Sequence, residues 1–205
     1  SPARADIGEG FSQFSRMRVN LNEITTEQAG VGWGDPGLPD LHGMYWSSSN
    51  DFTEAMYYRL AQAVSFSNSF IKNASELSGD EVNVFIAEAR FLRAYAYYNL
   101  LDLYGNVPLT IEISTDLPTQ SNRTELFNFI ESELMEIESI LLASNEYGRV
   151  DNVAAHALLS RLYLNAEAWT GQDRYADCIT YSQNVINSGY TLNMNDANGN
   201  GTAYD

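Results

Sequence analysis

Apolar residues recur at helical spacing through most of the chain, most clearly in the segment that ends at Leu101. They fall at intervals of three and four residues, which places them on one face of an α-helix; the residues are Val84, Ala87, Phe91, Ala94, Tyr98 and Leu101. Small and aromatic side chains alternate in this segment. We therefore predict a helix that packs against neighbours on more than one side.

The ends of this helix are also marked in the sequence. Asp80 follows Gly79 and is the predicted N-cap, because its side chain can accept hydrogen bonds from the first free amides of the helix. Gly105 suits the left-handed conformation that often ends a helix, and Pro108 prevents the helix from resuming. Pro108 also favours an extended conformation at Val107.

Four other segments show the same periodicity and predict helices, at about Phe52–Leu77, Thr124–Ala143, Val153–Trp169 and Arg174–Asn187. Asn68 lies on the apolar face of the first of these and would need hydrogen-bond partners if buried. Short connections between consecutive helices predict antiparallel hairpins stacked side by side. The predicted fold is therefore all-α and tetratricopeptide-like, although the regular period of about 34 residues is absent.

The two ends of the chain differ from this helical part. Residues 1–51 are rich in Gly, Asn, Asp, Pro and Trp, and Gly30–Gly43 contains five glycines and two prolines, which is typical of loops. One short helix is expected near Phe11–Leu21. We predict a loop-rich N-terminal region at 1–51, a helical-hairpin domain at 52–192 and an Asn/Gly-rich tail at 193–205.

The charge excludes several functions. Twenty-seven acidic and eleven basic residues give a formal charge of −16, so binding to nucleic-acid phosphates or to anionic lipid is disfavoured. No apolar run is long enough for a transmembrane helix, and no signal peptide opens the chain. The single cysteine, Cys178, rules out an internal disulfide framework and is expected to be a small core thiol.

Catalytic and metal sites find little support in the sequence. The two histidines, His42 and His156, are too few for a histidine-rich zinc site, and no nucleophile-elbow motif accompanies His42. His156 is expected to be a packed or half-exposed structural residue. Four glutamates on one predicted helix resemble a glycosidase pair, but a solvated helix face is favoured; they are Glu131, Glu133, Glu136 and Glu138. We predict no enzyme, no cofactor and no metal.

The tail from Asp196 to Gly201 fits the first half of a calcium-binding loop. The acidic residue that such a loop needs at its end would fall beyond Asp205, so an Asn/Gly turn is favoured. Three Asn-X-Ser/Thr sequences, at Asn73, Asn122 and Asn200, are expected to be incidental.

Several segments together resemble the SusD/RagB family of outer-membrane nutrient-binding lipoproteins. Residues 87–109 read AEARFLRAYAYYNLLDLYGNVPL and resemble the motif that closes the second tetratricopeptide-like helix of that family. Three further stretches agree in order: NLNEITTEQAG; LHGMYWSSSND; and GRVDNVAAHALLSRLYLNAEAW followed by YADCITYSQNVINSGYTL. The resemblance covers about residues 20–192 and corresponds to the N-terminal portion of longer family members.

The resemblance implies binding and not catalysis. Members of this family lie at the outer-membrane cell surface, attached by a lipid anchor that would lie outside this chain. They cover a TonB-dependent transporter and capture oligosaccharides, or sometimes peptides, for import. The alternative is a helical-hairpin module that binds a protein or peptide partner.

The predicted ligand-binding residues precede the first long helix; they are Trp33, Asp35, Trp46 and Asn50, with Asp51 beside them. Sugar binding needs an aromatic plane for the C–H face and amide or carboxylate partners for hydroxyls, and this region supplies both. We predict that Trp33 and Asp35 contribute to a glycan platform. Alternatively the tryptophans attach the loop to the helices, which is the favoured interpretation of Trp46.

Overall fold

A computed structural model describes residues 13–32 and 34–191 of the chain. These residues form eight α-helices and one pair of short strands: α1 Phe14–Glu23, α2 Leu38–His42, α3 Asp51–Ala74, α4 Asp80–Tyr104, β1 Val107–Pro108, β2 Gln120–Ser121, α5 Arg123–Ile137, α6 Asn152–Leu164, α7 Ala166–Thr170 and α8 Tyr175–Ile186. The all-α prediction is confirmed. The predicted tail at 193–205, with its calcium-like sequence at Asp196, lies outside the described residues.

The long helices stack side by side as hairpins. Helix α3 packs along α4, α4 packs along α5 on its other side, and α6 packs along α8. Two hydrogen bonds show that α3 and α4 are antiparallel: the Tyr104 hydroxyl donates to the Thr53 carbonyl, and Arg93 donates to the Asn68 side chain. The predicted stacking of antiparallel hairpins is therefore confirmed.

Helix α4 lies at the centre of this stack and is buried on several sides. Eleven of its residues are buried, including alanines, large aromatic residues and polar residues. The small residues let α3 and α5 approach, while Tyr97 and Tyr98 fill the spaces between the helices. The prediction of packing on more than one side is confirmed.

The ends of α4 agree with the prediction at one terminus only. Asp80 is not the N-cap: Gly79 takes that position, without a side-chain hydrogen bond, and Asp80 is the first helical residue. At the other end Gly105 has φ +74°, and a Cβ there would lie 2.7 Å from Arg123 Nε. The positive φ strains any residue with a Cβ, so glycine is required for the backbone geometry, although ψ −94° lies outside the left-handed helical region that the sequence predicts. The Arg123 side chain is flexible and could move away from a Cβ. Val107 then enters β1, as its neighbouring proline predicted.

Helix α5 begins with a capping box. The Asn122 side chain accepts a hydrogen bond from the Glu125 amide at 3.0 Å, and the Glu125 carboxylate accepts one from the Asn122 amide at 2.9 Å. The helix ends at Ile137, earlier than predicted, although Leu141 is still buried in the turns that follow. Apolar periodicity thus continued beyond the helix, because turn residues also contribute to the core.

The helix predicted at Val153–Trp169 is two helices. Asn165 lies between α6 and α7, and its side-chain amide donates to the Arg161 carbonyl at 3.0 Å. Such local bonds compete with helical hydrogen bonds, which explains a break at this residue. Periodicity alone could not show it.

The N-terminal region is more ordered than a loop region. Helix α1 is close to the predicted short helix, but α2 lies in a stretch predicted as loop. Pro39 occupies the first turn of α2, where its missing amide is tolerated. Leu38 and Leu41 of α2 join Met17 of α1 in the same core as the long helices. The predicted boundary between residues 51 and 52 stays a prediction.

A buried polar network joins α3, α4 and α5. Asn68 donates to the Thr110 carbonyl at 2.9 Å and accepts from Arg93 at 2.8 Å, which supplies the partners predicted for it. Arg93 Nη2 also donates to Glu133 Oε2 at 2.6 Å, and Arg90 Nη2 donates to Glu133 Oε1 at 2.6 Å. Glu133 is buried, so a solvated helix face was the wrong prediction for it.

Three further side chains with reactive groups, His156, Cys178 and Glu131, contact other side chains of the helical stack. His156 is half-buried, with Nε2 3.6 Å from the Glu138 carboxylate and its ring 5.5 Å from that of Tyr181. Cys178 is half-buried between α6 and α8, with Sγ 3.7 Å from Ser160 Oγ. Glu131 accepts from the Tyr163 hydroxyl at 2.8 Å. These contacts agree with the structural role expected for His156, whereas Cys178 packs against the core as a half-buried residue and is not the core thiol expected.

A candidate ligand pocket at the start of the first long helix

A pocket of about 420 Å³ opens where the loop after α2 meets the start of α3 and the end of α4. Its walls combine aromatic rings, hydroxyl groups and one carboxylate; the lining residues are Trp46, Ser47, Ser48, Thr53, Glu54, Tyr57, Tyr58, Leu103 and Tyr104. The volume lies within the usual range for small-molecule sites. Among the lining side chains, only Glu54 is charged at neutral pH.

Three tyrosines form one wall of the pocket. The Tyr57 ring meets Tyr104 edge-to-face, with centroids 5.3 Å apart and an angle of 82°. The Tyr57 ring also meets Tyr58, at 6.2 Å and 73°. Tyr58 and Trp46 are 42% and 43% exposed, so both offer ring surface to a ligand. Aromatic planes with polar tips suit ligands that have both apolar faces and hydroxyl groups.

The loop that presents Trp46 is held in an unusual conformation. Met44 has φ +56°, which non-glycine residues seldom adopt. Backbone hydrogen bonds tie Met44 to Leu41 and Tyr45 to Asp40, each at 3.1 Å. Strained backbone tends to occur at functional sites, where the surrounding structure fixes a required side-chain position. Here the conformation leaves Tyr45 and Trp46 exposed beside the pocket.

The structure separates the predicted site residues. Trp33 lies outside the described residues. Asp35 is away from the pocket lining and forms an ion pair with Arg16. Trp46 lines the pocket, and a ligand-binding role for it stays a prediction. Of the three predicted positions that the structure describes, Trp46 alone lines the pocket.

Asn50 caps the N-terminus of α3. It is buried, and its Oδ1 accepts hydrogen bonds from the amides of Phe52 at 3.0 Å and Thr53 at 3.4 Å. Its Nδ2 donates to the Gly37 carbonyl at 2.9 Å. Asn50 is therefore the N-cap of α3, and its amide is occupied within the chain. The neighbouring Asp51 is the first residue of α3 and does not line the pocket.

We expect Asn50→Ala to lower the free energy of unfolding by about 2 kcal/mol, because it removes a buried cap and one of the two hydrogen bonds that the Gly37 carbonyl accepts, the other coming from the Leu41 amide. Urea denaturation of the chain measures this loss. Asn50→Ser is the control, since it keeps a capping oxygen without placing a carboxylate against the Gly37 carbonyl, and it should lose less stability. Equal stability of Asn50→Ala and the unchanged chain would contradict the capping role.

Trp46 is the one predicted ligand-binding residue among the nine that line the pocket; the other eight are Ser47, Ser48, Thr53, Glu54, Tyr57, Tyr58, Leu103 and Tyr104. Tyr57 and Tyr58 lie in the first predicted long helix, and Leu103 and Tyr104 lie near the end of the second, which the sequence indicates as a packing segment. The available signal was the cluster of aromatic residues near two predicted helix ends. These aromatic residues line one pocket because α3 packs along α4. Hydrophobic periodicity does not predict which helices pair.

None of the helices in 13–32 and 34–191 is long and apolar enough to cross a membrane. Within the same ranges, no group of three or more His, Cys, Asp or Glu side chains is arranged to hold a metal ion.

Comparison with known proteins identifies the family. Residues 38–164 match the model of a SusD-like family that is described as starch-binding and associating with the outer membrane. The chain belongs to this family. The SusD-like family is thus one of outer-membrane-associated binding proteins, and its description does not name an enzyme.

Individual relatives of this SusD-like chain agree with that result. It is 38% identical over 198 residues to the starch-binding protein SusD of Bacteroides thetaiotaomicron, a match that covers 95% of the chain and 36% of the relative. The chain therefore spans about a third of that relative's length.

Two solved structures share the fold. One is a crystal structure with a xylogluco-oligosaccharide, with a TM-score of 0.76 and 23% identity over 90% of this chain and 39% of the other. The second is a laminarin-binding SusD-like protein, with a TM-score of 0.76 and 21% identity over 92% and 42% of the two chains.

Proposed function

We propose that this chain binds an oligosaccharide in the pocket around Trp46. The observation that carries the proposal is the composition of that pocket: exposed aromatic surface from Trp46 and Tyr58 beside the hydroxyls of Ser47 and Ser48. Sugar rings have apolar C–H faces and hydroxyl edges, and these two kinds of surface match the two kinds of lining.

The relatives support an oligosaccharide as the ligand class. By their names, one relative binds starch and another binds laminarin, and a solved structure with the same fold contains a xylogluco-oligosaccharide. All three ligands are polymers or oligomers of neutral sugars. Their differences in linkage mean that the ligand of this chain has to be found by experiment.

We expect Trp46→Ala to weaken oligosaccharide binding about tenfold, because it removes the most exposed large ring of the pocket. Isothermal titration of the chain with maltoheptaose, a xyloglucan oligosaccharide and laminarihexaose identifies the sugar and measures the dissociation constant. Tyr147→Ala is the matched control, since Tyr147 is a fully exposed aromatic residue in the connection between α5 and α6, outside the pocket.

The control should leave the dissociation constant unchanged. An unchanged constant for Trp46→Ala with a sugar that the chain binds would exclude Trp46 from the site. Binding of peptides but of none of the sugars would instead favour a peptide-binding module.

The binding protein delivers its ligand without altering it. In this proposal the longer protein is attached by a lipid to the cell surface and covers a TonB-dependent transporter, which imports the captured sugar. Support comes from the family description, which combines starch binding with the outer membrane. Co-purification of the transporter with the tagged protein from outer membranes tests the partnership. Shortened sugars after incubation with the purified chain would contradict the non-catalytic role.

A further inference from the structure

Tyr104 connects the end of α4 to the first turn of α3. Its hydroxyl donates to the Thr53 carbonyl at 2.6 Å, across a sequence separation of 51 residues. Burial raises the pKa of the Tyr104 hydroxyl, so the group stays protonated and remains a donor. The ring of Tyr104 is therefore fixed at two points, by its own helix and by this hydrogen bond.

Contacts between aromatic rings link the position of Tyr104 to that of Tyr57 and Tyr58. Tyr104 meets Tyr57 edge-to-face at 5.3 Å, and Tyr57 meets Tyr58 edge-to-face at 6.2 Å. Such contacts favour particular ring orientations. Tyr57 lies between the other two rings, so its orientation depends on both. Tyr58 is the member of this series that is most open to solvent at the pocket.

We propose that Tyr104 is a positioning residue, which fixes Tyr57 and through it the orientation of Tyr58 in the pocket. This inference rests on the proposed function, in which Tyr58 offers its ring to the sugar. It assigns to the segment around Gly105 a role in binding, beyond the packing that the sequence indicated.

The test compares Tyr104→Leu and Tyr104→Phe. Leucine removes both the ring and the hydroxyl, whereas phenylalanine removes only the hydroxyl. Ring resonances of Tyr57 and Tyr58 in the sugar-free chain are measured by NMR with labelled tyrosine. Titration with the sugar that the unchanged chain binds, from the set of maltoheptaose, xyloglucan oligosaccharide and laminarihexaose, gives the dissociation constant. Thermal denaturation measures stability separately.

Tyr97 provides a matched control on the same helix. Its hydroxyl donates to the Thr110 carbonyl at 3.0 Å, and its ring meets Phe129 edge-to-face at 5.3 Å and 80°. Tyr97 thus has the same two kinds of contact as Tyr104 but does not line the pocket. Tyr97→Leu should lower the melting temperature without changing the Tyr58 resonances or the dissociation constant.

For Tyr104→Leu we expect displaced resonances of Tyr57 and Tyr58 without sugar and binding weakened about fivefold or more. Tyr104→Phe should show smaller displacements and binding within about twofold of the unchanged chain, because the ring contact remains. If Tyr104→Leu does not fold, Tyr104→Phe provides the test, because it lacks the hydrogen bond to Thr53 that fixes the ring. Unmoved Tyr57 and Tyr58 resonances in Tyr104→Phe would then overturn the proposal.

Weaker binding with unmoved Tyr58 resonances would mean direct contact between Tyr104 and the sugar, which also overturns the proposal. Absence of binding to every sugar by the unchanged chain would contradict the proposed function alone. In that case the ring resonances still decide whether Tyr104 positions Tyr57 and Tyr58.

Discussion

Replacing Glu133 with alanine is expected to lower the free energy of unfolding by about 3–5 kcal/mol, because it leaves a buried guanidinium group without its counter-ion. The side chains of Arg93 and Glu133 are only 7% and 9% exposed. Arg93 donates to Glu133 through both Nε, at 3.1 Å, and Nη2, at 2.6 Å. Without this carboxylate, Arg93 keeps only neutral hydrogen-bond partners, among them Asn68.

Chemical denaturation of Glu133→Ala measures the loss, and a melting temperature lowered by about 10 °C is expected for a chain of this size. Glu136→Ala is the control on the same helix. Its carboxylate binds the same Arg90, at 2.6 Å, but its side chain is 60% exposed. Exposed ion pairs contribute about 0–1 kcal/mol. A loss below about 1 kcal/mol for Glu133→Ala would show that Arg93 finds water or another acceptor.

Leu162→Ala should destabilise the chain by about 2–5 kcal/mol, because Leu162 is fully buried in α6 and its truncation leaves a cavity. Leu164→Ala provides the comparison. It is the same substitution two residues later in the same helix, at a side chain that is 57% exposed, so we expect a loss of about 0.5 kcal/mol or less.

Urea denaturation of both leucine variants gives the difference between the two free energies of unfolding. Losses of equal size would contradict the burial of Leu162, because alanine is the better helix former and helix propensity would destabilise neither variant. The difference therefore tests the burial of α6 within the stack, independently of the polar network around Glu133.

The long helices could be predicted from sequence because their apolar faces are wide and their ends contain strong signals. Gly105 and Pro108 define the end of α4 by backbone geometry alone, and the structure agrees. The break at Asn165 and the capping box at Asn122 depend on single side-chain hydrogen bonds. Hydrophobic periodicity does not detect such local bonds.

The pocket could be predicted only in part, for a related reason. Trp46 is among the predicted residues because it is an aromatic residue in a polar region, although attachment of the loop to the helices is its favoured interpretation from sequence. Tyr57 and Tyr104 are not among them, because each also fits the apolar face of a helix. The ring centroids of Tyr57 and Tyr104 lie 5.3 Å apart because α3 and α4 pair in an antiparallel arrangement. Asn50, which the sequence analysis predicts to bind ligand, is the N-cap of α3, a role that depends on the local fold of the loop before this helix.

The loop between Gly43 and Asn50 is fixed at both ends and open in its middle. Helix α2 holds one end, while Asn50 holds the other by capping α3 and binding Gly37. The side chains between these ends are exposed, and three of them, Trp46, Ser47 and Ser48, line the pocket. Residues 46–48 can therefore be exchanged as a cassette to change the pocket wall, with both anchors left in place.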